Sequence, residues 1–268
     1  MKKIKLIILT SIVVLVLSGC KNSNETQGNI ENQKEVSLPS VASMHKNRNE
    51  TKIEKENEIA SSKTIVIDPG HSSVGNRDQE PVSPGLSETK AKDVLGATGS
   101  YTNIPENETT ISVSLLLKEK LEKVGYNVIM TKKSVSESLS NIERANIGNK
   151  NNADLVIRIH ADSANSSSAR GASALVPSIN QYTQGIYNLS EKYGTSILNT
   201  YTNELNIHSR GVIERDDITG FNWSKVPVVI LEMGFLSNEN EDKFISNSEN
   251  HEKIATAIAN GVNNCFLK

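Results

Sequence analysis

Three polar side chains sit where apolar runs end. His71 follows the string IVIDPG, His160 closes DLVIRI, and Glu232 follows PVVIL. Burying an imidazole or a carboxylate in such a place without a partner costs roughly several kcal/mol, so each of the three needs a reason to be there. Singly, a strand-end histidine is commonly a satisfied structural residue and a glutamate a helix cap or ion-pair partner. On neighbouring parallel strands, however, all three converge on one face, as a joint metal or acid/base site requires. Two neutral imidazoles and one carboxylate form a hydrolytic zinc set that leaves one coordination position open for water.

The elements that must position these groups follow from hydrophobic pattern. TIVID is a short β-branched run feeding the turn Pro69-Gly70-His71, which predicts a buried strand whose end carries chemistry. Over residues 109–124, Ile111, Val113, Leu117 and Leu121 form an apolar helix face opposite Lys118, Glu119, Lys120, Glu122 and Lys123, and Gly125 stops the helix. YNVIMT, DLVIRIH and ASALVP then predict strands, with a helix over SLSNIERANIGNKN between the first two. A helix is expected over residues 179–205, another buried strand in VPVVILEMGF, and a closing amphipathic helix in NHEKIATAIANGVNNCF. This alternation predicts an α/β fold: a single domain with a twisted, mainly parallel central sheet flanked by helices, over residues 63–268. Residues 72–105 carry many Gly and Pro with little periodicity and are expected to be a long loop lining a groove.

With these motifs in place, the chain resembles the zinc-dependent N-acetylmuramoyl-L-alanine amidases of the type 3 family. The strings that carry the resemblance are IVIDPGH, a Glu nineteen residues before the Gly of LEKVGYNVIMT, ERAN, ADLVIRIHAD and VPVVILEMGFLSN, in that order. Together they cover essentially all of residues 63–268. The resemblance implies that His71, an acidic residue before the first helix, and His160 bind zinc, and that Glu232 is the catalytic carboxylate. Both Glu106 and Glu108 precede that helix; the family spacing from Gly125 points to Glu106, with Glu108 in reserve. The implied reaction is hydrolysis of the amide between the lactyl group of N-acetylmuramic acid and L-alanine, so the implied substrate is peptidoglycan.

Departures from the family pattern are specific. Ser72 and Ser73 stand where Gly-Gly is common, and Arg158 and Asp162 stand where Ser and Asn are common around the second histidine. Arg158 alternates with His160 and so shares its strand face, where its charge either favours an anion or pairs with a carboxylate. Asp68 is a candidate to orient a ligand imidazole. Arg210, Asn222 and Trp223 could touch substrate, although Trp223 could equally pack under the sheet edge. His208 and His251 read as surface residues, and His45 as no ligand. Other readings of the same chemistry are a zinc peptidase acting on wall peptides and a non-catalytic surface lipoprotein binding wall fragments.

The N-terminus reads as an address. Lys2, Lys3 and Lys5 precede an apolar run over residues 6–17, too short to span a bilayer as a stable helix, and the run closes in Leu-Ser-Gly-Cys20. This resembles a bacterial lipoprotein signal over residues 1–20, with Cys20 lipidated and the protein anchored outside the cytoplasmic membrane. Residues 21–62 are polar and poor in large apolar side chains, so they are expected to be a disordered linker. The 29 Lys and Arg against 31 Asp and Glu give a net charge of -2, which offers no broad attraction for nucleic acid. The two cysteines, Cys20 and Cys265, exclude a disulfide framework and a zinc finger. With no wall-binding repeat in the sequence, an unidentified activator remains an expected partner beside substrate and membrane.

Overall fold

Strand strings that are apolar at every position can only be buried on both faces, and three of them form the middle of the sheet. The computed structural model describes residues 54–266. Its strands are β1 (Thr64–Pro69), β2 (Asn76–Pro81), β3 (Thr89–Asp93), β4 (Asn127–Met130), β5 (Leu155–Asp162), β6 (Ala172–Pro177), β7 (Ser209–Arg215) and β8 (Val228–Phe235). Its helices are α1 (Glu106–Val124), α2 (Asn141–Lys150), α3 (Tyr187–Leu205), α4 (Thr219–Asn222), α5 (Glu239–Ile245) and α6 (Ser248–Phe266). The six-stranded sheet runs in the order β4-β1-β5-β8-β6-β7. The first four strands are mutually parallel; β6 and β7 are parallel to each other and antiparallel to β8. The expected mainly parallel α/β sheet is therefore present, with two reversed strands at one edge.

Because side chains alternate across a strand, the sheet sorts its residues onto two faces. Ile65, Ile67, Leu155, Ile157, Ile159, Val229 and Leu231 belong to the larger core, packed with Leu117, Leu121, Ile197 and Ile258 of α1, α3 and α6. Val66, Val156, Val228 and Ile230 belong to the smaller core on the other face, with Ile147 and Phe221. Asp68, Arg158, His160 and Glu232 continue the alternation of the second set, so all four are placed on the face of the smaller core. Register puts Asp68 beside Arg158 and His160 beside Glu232.

Local signals set the helix ends. Glu106 and Glu108 lie in the first turn of α1, where the positive end of the helix dipole favours them, and Gly125 closes it at φ 112°. Ser140 and Glu143 form a reciprocal capping box at the start of α2. Several expectations need correction. Residues 72–105 are not one long loop, because β2 and β3 form an antiparallel hairpin within them; their strings NRDQEP and TKAKD are too polar to register as strands. β7 is likewise polar and was not expected. The helix placed over residues 179–205 begins only at Tyr187. Residues 54–61, inside the expected linker, are helical, and Ala60 is buried in the larger core. The signal segment, Cys20, His45 and the linker up to residue 53 lie outside the described residues. No helix among the described residues is long and apolar enough to cross a membrane.

Helices α3 and α6 meet at a glycine. A Cβ at Gly261 would lie 2.8 Å from the Cα of Ile197, a backbone atom that cannot rotate away. Gly261→Ala should therefore destabilise the fold by about 1–3 kcal/mol despite the better helix propensity of alanine. Urea unfolding followed by circular dichroism would read this as a lower midpoint at unchanged slope.

Candidate metal centre

The turn after β1 delivers His71 in an uncommon backbone conformation, with φ at 52°. Its neighbour Gly70 leaves room for the second histidine: a Cβ there would sit 2.6 Å from the ring of His160. Gly96, at φ 82°, does the same on the other side, since a Cβ would lie 2.7 Å from the His71 ring and 2.8 Å from Glu106 Oε2. The two imidazoles pack edge to face with centroids 4.8 Å apart.

Glu106, at the start of α1, lies between them. Its Oε2 is 3.3 Å from His71 Nε2 and its Oε1 is 3.1 Å from His160 Nδ1. The backbone N–H groups of Ala97 and Ala161 each donate to this carboxylate at 3.0 Å. His71, Glu106 and His160 form a group whose donor atoms all lie within 4.8 Å of one another. Glu108, one turn position further, is exposed.

The protonation of this group points to a cation. His71 Nδ1 lies 2.8 Å from the carbonyl oxygen of Val94, which can only accept, so Nδ1 carries the proton. With Nδ1 so engaged, Nε2 is the ring nitrogen turned toward an oxygen of Glu106. Burial pulls the His160 pKa down to about 4, against the attraction of Glu106, so this imidazole is neutral near pH 7. Burial would raise the Glu106 pKa, but its hydrogen bonds with the two histidines hold it well below the usual carboxylate range. His160 Nε2 is buried and has no hydrogen-bond partner among the described residues. The unpartnered His160 Nε2 and the His71 Nε2 beside Glu106 leave imidazole nitrogens in this buried group free to bind a cation, and His/Glu/His is a suitable donor set for a divalent metal.

Glu232 of β8 sits beside His160 in register and lines the same cleft of about 400 Å³, with His71, Arg158 and Arg215. Burial, then the charges of Glu106 and Asp162, push its carboxyl well above the usual range. A carboxylate so placed is suited to proton transfer near neutral pH.

Other sequence candidates resolve differently. Asp68 does not bond to an imidazole. Its Oδ2 accepts from Arg158 Nε at 2.7 Å and its Oδ1 from Thr131 Oγ1 at 2.6 Å, with Arg144 Nη1 at 3.5 Å. Arg158, one of the departures, is thus paired with a carboxylate. Trp223 donates from Nε1 to Pro81 O, Asn222 is buried, and Arg210 lies over the Phe235 ring, so none of the three lines the cleft. His251 is buried, not a surface residue; it bonds to Ser112 Oγ and Ile245 O between α1 and α6. His208 is exposed. Glu80, not among the sequence candidates, accepts from the backbone N–H groups of Asn141 and Ile142 and from Asn141 Nδ2. An acid three residues after Arg77 in a polar strand carries no visible signal of that role.

An α/β domain with a mainly parallel sheet and a His/Glu/His group at its strand ends defines the class as a candidate metal-dependent hydrolase. The N-acetylmuramoyl-L-alanine amidase family model, Amidase_3, matches residues 65–264, and the chain belongs to that family. Among relatives, YqiI of Bacillus subtilis is 29% identical over 206 residues, which cover 76% of this chain and 85% of YqiI. LytH of Staphylococcus aureus, a probable cell wall amidase, is 26% identical over 208 residues, 78% of this chain and 60% of LytH. The crystal structure of the N-acetylmuramyl-L-alanine amidase Ami1 from Mycobacterium smegmatis shares the fold at a TM-score of 0.69 and 23% identity, covering 77% of this chain and 97% of Ami1. The chain is accordingly a peptidoglycan amidase, acting on the amide between N-acetylmuramic acid and L-alanine.

The Asp68 pairing makes a measurable contribution to stability. Burial alone would raise its pKa, yet Arg144, Arg158 and Thr131 lower it from 3.8 to about 2. A depressed carboxylate stabilises the fold above its unfolded pKa and loses that contribution as pH falls through the folded value. Asp68→Asn should cost about 3–5 kcal/mol at pH 7 by leaving buried guanidinium groups short of a counter-charge. It should also flatten the acid-unfolding curve between about pH 4 and pH 2, read by fluorescence or circular dichroism.

Proposed function

We propose that the chain is a zinc-dependent amidase in which His71, Glu106 and His160 hold the metal and Glu232 moves the proton. The observation that carries this reading is the Glu106 carboxylate facing His71 Nε2 and His160 Nδ1 at 3.3 and 3.1 Å, with Glu232 beside His160 in the sheet. Zinc, when bound, supplies Lewis-acid polarisation of the scissile carbonyl and activation of water. The protein's own part is positioning and proton transfer. The Val94 carbonyl and the backbone N–H groups of Ala97 and Ala161 fix the ligand set, which lowers the cost of ordering it. Glu232 takes a proton from the attacking water and gives it to the nitrogen of the leaving L-alanine. The C–N bond breaks, leaving a muramic lactyl acid and a stem peptide with a free amino terminus; no serine nucleophile takes part.

Cell-wall chemistry places the work outside the cytoplasmic membrane, and the sequence of residues 1–20 supports a lipid tether at Cys20. The tether would hold the enzyme at the membrane surface, under the wall it cleaves.

Two experiments test these assignments. Metal analysis and mass spectrometry of released muropeptides should find about one zinc and free stem peptides for wild type. Glu232→Ala should keep the metal and lose at least about a hundredfold in turnover. Glu106→Ala should lose the metal, and Glu108→Ala should keep both metal and activity. A Glu232→Ala protein with undiminished turnover would remove that residue from the mechanism. For the tether, Cys20→Ala should shift the protein out of the membrane fraction of cells; unchanged fractionation counts against lipidation.

A further inference from the structure

We propose that the cleft takes its substrate in one direction, with the stem peptide running toward Lys90 and Arg215, which bind a free carboxylate of that peptide, and the sugar running toward Val74, Val94 and Leu95. This deepens the amidase reading above and rests on it.

The cleft does not end at the metal centre. The cavity bordered by His71, His160 and Glu232 shares Asp93 and Val94 with a second of about 400 Å³, which extends to Val74, Arg77 and Leu95. It also shares Ala91, Val94, Asn141, Arg215 and Ile218 with a third of about 370 Å³, which extends to Lys90 and Asp217. Val94 borders all three, so they join there into one cleft that reaches Val74, Arg77 and Leu95 by one branch and Lys90 and Asp217 by another.

Its two arms differ in chemistry. On one arm Val74 and Leu95, 61% and 53% exposed, form an apolar rim, with Val94, 55% exposed, beside His71 at the junction with the other. On the other, Asp217 joins two cations: Lys90 Nζ at 3.0 Å, and Arg215 through Nε and Nη2 at 2.8 Å each. Two cations share one bonded carboxylate there, while Asp216 and Glu232 add their negative field at Arg215 without bonding to it. Arg215 Nη1 makes no hydrogen bond within the described residues, and the Lys90 and Arg215 side chains are each 43% exposed. The arm thus presents an unused guanidinium donor beside the half-exposed Lys90 ammonium, the pair of groups that recognises a carboxylate.

The substrate has the matching asymmetry. On the carbonyl side of the scissile amide lies a sugar, uncharged apart from its attachments, whose C–H faces and N-acetyl methyl pack on apolar side chains. On the nitrogen side lies a peptide whose acidic residues carry the free carboxylates. Arg77 is the cation bordering the apolar arm, so it provides the test of the reverse direction.

The experiment compares two muramoyl dipeptides, both amidated at the γ-carboxyl of D-glutamate, that differ only in whether its α-carboxylate is free or amidated, using the full chain. Its readouts are the ratio of their kcat/KM values and, independently, calorimetric binding of the dipeptide product released from the free acid. Wild type should favour the free acid by about tenfold, the scale of one charged hydrogen bond. Arg215→Gln should bring the ratio close to one and weaken product binding, with Lys90→Met acting in the same sense, while Arg77→Gln should preserve the ratio. Circular dichroism establishes that each variant is folded. A wild-type ratio of one, a preference that survives both Arg215→Gln and Lys90→Met, or a preference lost in Arg77→Gln would overturn the assignment. If wild type cleaves neither dipeptide, the amidase reading itself fails, whereas product binding still reports on Arg215.

Discussion

A carboxylate buried between two imidazoles is the constraint on which the rest of this structure depends. Glu106 is 2% exposed, and burial on its own opposes its charge. Four groups surround it: the backbone N–H groups of Ala97 and Ala161, which donate to it, and the imidazoles of His71 and His160 at 3.3 and 3.1 Å. They come from three separate stretches of chain, namely the turn after β1, the end of β5 and the loop after β3, and the carboxylate itself from α1. None can be near Glu106 unless β1 and β5 are adjacent and parallel and α1 crosses their ends. The position of Glu106 in the first turn of α1 adds the favourable end of the helix dipole. Fold and site therefore specify each other through a single anion.

A second buried anion ties the cleft wall to the sheet. Asp68 pairs with Arg158 and Arg144, both guanidinium groups donate to Asn141 Oδ1, and Asn141 in turn donates to Glu80 of the hairpin. The chain of contacts runs from β1 and β5 through the start of α2 to β2. It explains how a hairpin of polar strands, with little apolar surface of its own, is held against the domain. It also accounts for Arg158 at a position where the family commonly has serine: the arginine is matched by Asp68 on the adjacent strand rather than left to attract a ligand. Lone buried charges are costly, but a set in which every member has partners is compatible with a rigid wall.

The central strands, most helices and the ligand candidates were legible because burial on both faces forces continuous apolar strings, and polar residues at their ends stand out. The family spacing from Gly125 separated Glu106 from Glu108, which helix pattern could not do, since both suit a first turn; the structure buries one and exposes the other. What escaped was held by contacts distant in sequence. β2 and β3 pair through backbone bonds that any side chain allows, so NRDQEP and TKAKD look like loop. His251 looked like a surface residue because its charge-capable ring sits in a polar stretch, yet Ser112 and Ile245, both far from it in the chain or across a turn, satisfy both nitrogens and permit burial. Asp68 was read as an imidazole partner from its closeness to His71 in sequence; its strand neighbour Arg158 is ninety residues away and pairs with it instead.

The backbone around His71 shows why this centre tolerates little change. A histidine at φ 52° gives up the commoner strand conformation, and the Val94 carbonyl compensates by accepting its Nδ1 proton. That hydrogen bond selects the tautomer that leaves Nε2 facing Glu106. Val94 follows β3 directly, so the placement of a hairpin fastened through Glu80 and Asn141 determines which nitrogen of His71 is free. The polar hairpin, the least regular part of the sequence, thereby controls which nitrogen of His71 is presented to Glu106, and the buried ion network behind it serves the candidate metal centre without touching it.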